Sequence, residues 1–223
     1  MLRGALFDWD GTVVDSGAAH EESWMQLARE ENLYLTKEMF RKSFGCTNKV
    51  IIPNAYKWTQ DPAEIERLGL RKEVIYREII ASHGNAKDYA LPGAIELLNA
   101  LQAAGIPCAV GSSAPKANVE QLAGRLGIAG CFKTLVTAED VEHSKPNPEV
   151  FLKGAQAIGV APEDCVVFED AVHGVEAGNA GGMKTVAILT SHPRESFEGL
   201  ATLIVNRLTE VTLPRLATLW PQE

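Results

Sequence analysis

The 223-residue sequence contains no apolar run approaching the roughly 20 residues that a membrane helix needs. It contains no Cys-x-x-Cys pair. Its 4 cysteines, Cys46, Cys108, Cys131 and Cys165, lie far apart. That spacing argues against zinc and against a redox dithiol, and predicts buried free thiols in a reducing compartment. Basic charge is also short: 21 Lys and Arg stand against 29 Asp and Glu, for a net charge of -8. Neither a nucleic acid nor an anionic membrane is the expected partner of such a chain. Charge arrives at Arg3 and Asp8, before a leader's apolar stretch could form, so a cytoplasmic protein is expected. Repeats and low-complexity segments are missing too. What the chain does have is 46% apolar residues, enough for one good core and a small second one.

The apolar residues fall into two textures. The run Ala5-Leu6-Phe7 reads as the end of a buried strand. Residues 16–84 then carry helical patterns only: Trp24, Leu27 and Ala28 share a face, Thr36 is placed to cap one helix, and Pro62 to open another. From Leu91 onward, short apolar strands (PCAVG, FKTLV, CVVF, KTVAIL, TLIVN) alternate with helical segments. Such alternation predicts an α/β fold, a Rossmann-like parallel sheet with helices on both faces. The helical stretch reads as a cap domain inserted after the first strand. The expected division is a core of residues 1–15 and 88–223 and a cap of residues 16–87.

In parallel sheets of this kind ligands bind beyond the carboxyl ends of the strands. Four such places carry polar residues here: Asp8 and Asp10 after the first strand, Ser112 and Ser113 after PCAVG, Lys145 in a crossover, and Glu169 and Asp170 after CVVF. Each alone has an ordinary reading, as a turn, a helix cap or a solvated loop lysine. Together they are an apparatus. A hydroxyl and backbone N–H groups at a helix start form an anion site, and a lysine adds charge. Four carboxylates from two strand ends call for a hard cation with oxygen ligands, which suits Mg²⁺. A metal beside an anion site, with a carboxylate left to attack, fits phosphoryl transfer through an aspartyl-phosphate.

These motifs resemble those of the haloacid dehalogenase superfamily, over nearly the whole chain. DWDGT, VGSS, SKPNPE and FEDA match the family's four motifs in order. The resemblance implies that Asp8 is the nucleophile and Asp10 the general acid and base. It also implies that Asp8, the backbone carbonyl of Asp10, and Asp170 hold Mg²⁺, with Glu169 a ligand or a partner of the ligands. Ser112 and Lys145 would hold the phosphoryl oxygens, with Gly11, Thr12, Ser113 and Lys116 beside the substrate.

Asp10 distinguishes the chain from the dehalogenases, which lack that acid, and from the phosphonate-cleaving branch, which has Ala there. Within the phosphate-ester enzymes it is similar to the β-phosphoglucomutase-like group, which holds mutases and small-metabolite phosphatases. His20, Lys72 and Lys116 lean towards a mutase. Asn48 leans away, because it stands where the mutases carry an arginine for the second phosphate, after Gly45-Cys46-Thr47. Lys49 comes one residue late, turned by about 100° on a helix, and lacks the bidentate fork of a guanidinium. The expectation is therefore a monomeric, Mg²⁺-dependent phosphatase of a small phosphorylated metabolite, with a sugar-phosphate mutase second. A phospho-accepting signalling domain comes last, since it would be shorter, uncapped and without an acid two residues after the acceptor.

Overall fold

The computed structural model describes residues 1–43 and 46–220. In chain order its strands and α-helices are β1 (Gly4–Phe7), α1 (Gly17–Glu30), α2 (Lys37–Ser43), α3 (Asn48–Val50), α4 (Pro62–Ser82), α5 (Ala94–Ala103), β2 (Cys108–Gly111), α6 (Lys116–Leu126), β3 (Phe132–Val136), α7 (Glu149–Ile158), β4 (Cys165–Glu169), α8 (Val172–Ala180), β5 (Lys184–Ile188), β6 (Leu203–Val205) and α9 (Leu213–Ala217). Two compact units divide the chain: Met1–Asp15 with Lys87–Glu223, and Ser16–Ala86. Among the described residues, no helix is long and apolar enough to cross a membrane.

The first unit is built on six strands in the order β3-β2-β1-β4-β5-β6, every pair parallel. The strand order reverses at β1, so β1 is flanked by β2 and β4. Its residues Ala5, Leu6 and Phe7 are fully buried, as a central strand covered on both faces requires. Register sets where these strands end. Phe7 lies level with Val110 of β2 and Phe168 of β4, and the Phe7 and Phe168 rings stack at 4.5 Å. Three neighbouring strands therefore end at one level, and their next residues emerge together.

One face of the sheet is covered by α7, whose Val150, Phe151, Ala155 and Ile158 pack with Leu6, Ala109 and Val167. Burying each large side chain of this set stabilises the fold by roughly 1.5–3 kcal/mol. The approach is close at Gly111, where a Cβ would lie 2.7 Å from the Phe151 ring. The C-terminal helix α9 stops at Ala217 and does not reach Trp220. The Trp220 indole instead donates to the carbonyl of Glu163 at 2.8 Å.

The regular elements of the second unit, among its described residues, are all helices. Its core joins Trp24 and Leu27 of α1, Phe40 of α2, Ile52, and Leu68 and Ile75 of α4. The side chain of Asp61 caps α4 by accepting from the N–H of Ala63, with Pro62 opening the helix. Arg67 and Arg71 of α4 each grip a carboxylate at the end of α1, Glu31 and Glu30, through two hydrogen bonds of 2.7–2.9 Å. Of the cysteines expected to be buried, Cys108 and Cys165 are, and burial pushes both thiols up to about 12. Cys131 is partly covered. Cys46 is exposed, because it lies in a connecting segment and not in a strand.

Candidate active site

Asp8 is the first residue beyond β1, its N–H still donating to the Phe168 carbonyl at 2.9 Å. Glu169 and Asp170 leave the neighbouring β4 at the same level. One carboxylate oxygen from each of Asp8, Glu169 and Asp170 lies within 4.8 Å of the others, and all three residues are buried. The carboxylate of Asp10 is not among the three. Its chain has already left the strand for a turn, in which the N–H groups of Val13 and Val14 return to the Trp9 carbonyl.

Lys145 enters this group from the crossover before α7. Its ammonium donates to Asp8 Oδ1 at 2.6 Å and to Glu169 Oε1 at 2.7 Å, and lies 4.8 Å from the centre of the Phe151 ring. Only 2% of its side chain is exposed, so the solvated loop lysine of the ordinary reading is ruled out. The second oxygen of Glu169 accepts from the N–H groups of Asp170 and Ala171, both at 2.9 Å. Glu169 thus has both oxygens engaged, one by Lys145 and the other by the start of the following loop.

Three carboxylates against one ammonium leave two negative charges in a buried place. Burial first, and this imbalance after it, shape how the group titrates. Burial pushes Asp8 well above the carboxylate range; Lys145 pulls it back, and Glu169 and Asp170 push it further. Burial, then Glu169, pushes Asp170 up to about 7. Burial alone would lower Lys145, but Asp8 and Glu169 outweigh it and keep the ammonium protonated. A divalent cation would cancel the remaining charge, and the donors are all oxygens, so a hard metal ion fits. Two glycines make the necessary room. A Cβ on Gly11 (φ +86°) would lie 2.0 Å from Asp170 Oδ2, and one on Gly174 would lie 1.8 Å from Glu169 Oε1.

The other residues expected at the site divide. Thr12 is fully buried and donates to Asp170 Oδ1 at 3.4 Å, while Gly11 donates its N–H to the Val14 carbonyl. Ser112 is buried beyond β2, with its hydroxyl accepting from the Ala114 N–H at 3.0 Å; Ser113 is half-buried beside it. Open N–H groups at the start of α6 were expected to take an anion. Instead the Lys116 N–H already faces the Glu139 carboxylate at 3.0 and 3.2 Å, and the Lys116 side chain is exposed. That carboxylate engages one N–H of the helix start, while Ser112 stands at the end of β2 and Lys145 beside Asp8.

In the helical unit, Lys72 is 2% exposed. Its ammonium lies 2.7 Å from His20 Nδ1 and 3.1 Å from Glu73 Oε1. It also lies over the rings of Trp24 and Tyr76, and His20 stacks on Tyr76 at 4.2 Å. Asn48 opens α3, and its amide donates to Glu73 Oε1 at 2.7 Å and to the Gly69 carbonyl at 3.4 Å. Lys49 is exposed. Gly45, which begins the Gly-Cys-Thr motif, lies outside the described residues.

Two residues escaped the sequence reading. Ser191 donates to Asp170 Oδ2, and Thr190 donates to the Gly11 carbonyl at 2.5 Å. Both come after β5, a fifth strand end, and the rule that placed the other site residues would have reached them had it been carried one strand further.

A family model described as haloacid dehalogenase-like hydrolase matches residues 2–182. A chloroplastic 5-amino-6-(5-phospho-D-ribitylamino)uracil phosphatase of Arabidopsis thaliana is 36% identical over 94% of the chain, which spans only 56% of that protein's length. Hexitol phosphatase A of Escherichia coli is 37% identical, over 83% of this chain and 82% of that protein. Among solved structures, a β-phosphoglucomutase from Clostridium difficile superposes with a TM-score of 0.86 at 24% identity, covering 98% of this chain and 97% of that one. That likeness concerns the fold alone.

Proposed function

The chain belongs to the haloacid dehalogenase-like hydrolases and is a phosphohydrolase among them, and we propose that it is a magnesium-dependent phosphatase cleaving a small phosphomonoester through an aspartyl-phosphate on Asp8. The observation that carries this reading is the buried group of Asp8, Glu169 and Asp170 around the Lys145 ammonium. Asp8, the backbone carbonyl of Asp10, and Asp170 are the residues to hold the cation. Bound there, Mg²⁺ supplies two positive charges, which keep the carboxyls ionised and draw charge from the phosphoryl oxygens.

The chain's own groups account for the rest. Lys145 fixes Asp8 by one oxygen, leaving the carboxylate aligned to attack phosphorus. Ser112 and Lys145 hold phosphoryl oxygens as charge builds on them. Asp10 gives its proton to the leaving alkoxide, then takes one from the water that opens the acyl phosphate; such help is worth roughly 10²–10⁴-fold. The helical unit is the cap domain of this core, and His20, Asn48, Lys49 and Lys72 are its candidate specificity residues. The substrate is a small phosphorylated metabolite such as a sugar phosphate, met by a monomer in the cytoplasm.

A mutase is the second reading and needs a cation for a second phosphate. Position 48 offers an amide already bonded to Glu73. Acid-quenched enzyme that has met labelled substrate should carry phosphate on Asp8, and Asp8→Asn should carry none. Label on Asp10 or Ser112 would overturn the mechanism. With β-glucose 1-phosphate and a bisphosphate primer, free phosphate should form faster than glucose 6-phosphate; the reverse order makes the chain a mutase.

A further inference from the structure

We propose that Ser191, on the loop after β5, is a positioning residue for the metal: it fixes the Asp170 carboxylate in the orientation that receives Mg²⁺. The inference rests on the reading of Asp170 as a ligand. Each oxygen of Asp170 holds one hydroxyl, Thr12 on Oδ1 and Ser191 on Oδ2. Oδ2 lies in the space that Gly11 leaves by having no Cβ, so the carboxylate is confined on one side by backbone and tethered on the other by Ser191. Thr190, the preceding residue, ties the same loop to the Gly11 carbonyl at 2.5 Å. The β5 loop therefore grips both the turn after Asp8 and the acid after β4. Ser191 itself lies near the surface while its partner is 3% exposed, so the hydroxyl is positioned as an outer support and not as part of the packed interior. Without it, the Asp170 carboxylate loses one of its two hydroxyl anchors, and the cation must order it on binding.

The test measures Mg²⁺ binding by calorimetry on the full chain, for Ser191→Ala, Ser191→Thr and Asp170→Asn, with steady-state kinetics alongside. Ser191→Ala should weaken Mg²⁺ binding by about 10–100-fold. It should raise the Mg²⁺ needed for half-maximal rate, and leave kcat at saturating Mg²⁺ within about twofold, a split that general destabilisation would not produce. Ser191→Thr should restore most of the affinity. If Asp170→Asn weakens binding and Ser191→Ala does not, the proposal fails while the metal site stands. If Asp170→Asn leaves Mg²⁺ affinity unchanged, the ligand assignment itself fails. If Ser191→Ala lowers kcat at saturating metal without changing affinity, Ser191 acts elsewhere and the proposal is overturned.

Discussion

The ammonium of Lys145 stands 2.6 Å from Asp8 Oδ1, across 137 residues of sequence. The contact joins the first strand end to a crossover loop, and both partners are withdrawn from water. Removing one partner of such a pair is more damaging than the pair is stabilising, because the survivor is left charged and buried. Lys145→Met should therefore lower kcat by about 10²–10³-fold and, in chelated protein at neutral pH, lower stability by roughly 3–5 kcal/mol. Urea unfolding measures the second effect. It should shrink at pH 5, where the carboxyls left behind can take up protons.

Asp170 should cost the metal-free chain stability as pH rises. Asp170 titrates near 7 when folded and near 3.9 when unfolded, so across that window the folded chain binds more protons. The stability it contributes is present at low pH and is lost as pH climbs from about 4 through about 7. Asp8 is raised in the same direction. Melting in a chelator should show wild type losing ground to Asp170→Asn as pH increases, and Mg²⁺ should remove the difference. A wild type that gains on the variant over this range would contradict the charge balance of the pocket.

Placing a cation at position 48 takes more than one substitution. Asn48→Arg would set a guanidinium beside the Glu73 carboxylate, which Asn48 already reaches at 2.7 Å, and the new charge would pair there. The single variant should leave the ratio of glucose 6-phosphate to free phosphate unchanged. Asn48→Arg combined with Glu73→Gln should raise it. Product analysis by coupled assay decides, and a rise with the single variant would show that Glu73 does not capture the arginine.

Two glycine-to-alanine changes should behave oppositely. In α8, a Cβ at Gly174 would land 1.8 Å from Glu169 Oε1, the oxygen that holds Lys145. In α6, one at Gly124 meets nothing within 4 Å. Gly124→Ala should stabilise by about 0.5–1 kcal/mol with full activity. Gly174→Ala should lose most activity, because Glu169 must move and Lys145 with it. Comparable activity in the two variants would mean that Glu169 does not orient Lys145.

The sheet was legible from the sequence because its strands are short apolar runs between helices, and the acidic residues were legible because they come directly after those strands. Register did the rest, levelling Phe7 with Val110 and Phe168. Lys145 could be placed in a crossover, but its burial could not be read, since the carboxylates that draw it inward lie 137 and 24 residues away. Glu139, which takes up the Lys116 N–H at the start of α6, could not be read for the same reason: it comes from another loop. Lys72 was singled out from the sequence, and only tertiary structure shows His20 and Glu73 as its partners. Ser191 was within reach of the strand-end rule.

The central place of β1 has a consequence for the order in which the chain can fold. β1 is synthesised first, yet its partners begin at Cys108 and Cys165, so an apolar strand must wait for about a hundred residues of synthesis before any neighbour can pair with it. The core of the helical unit, from Trp24 to Ile75, is complete well before that. Local contacts form faster than distant ones, and a nascent chain would thus emerge with its helices settled and Ala5-Leu6-Phe7 unclaimed, a natural binding target for a chaperone. Pulsed hydrogen exchange during refolding should protect the amides of α1 and α4 ahead of those of β1; simultaneous protection would show that the sheet and the helices form as one event.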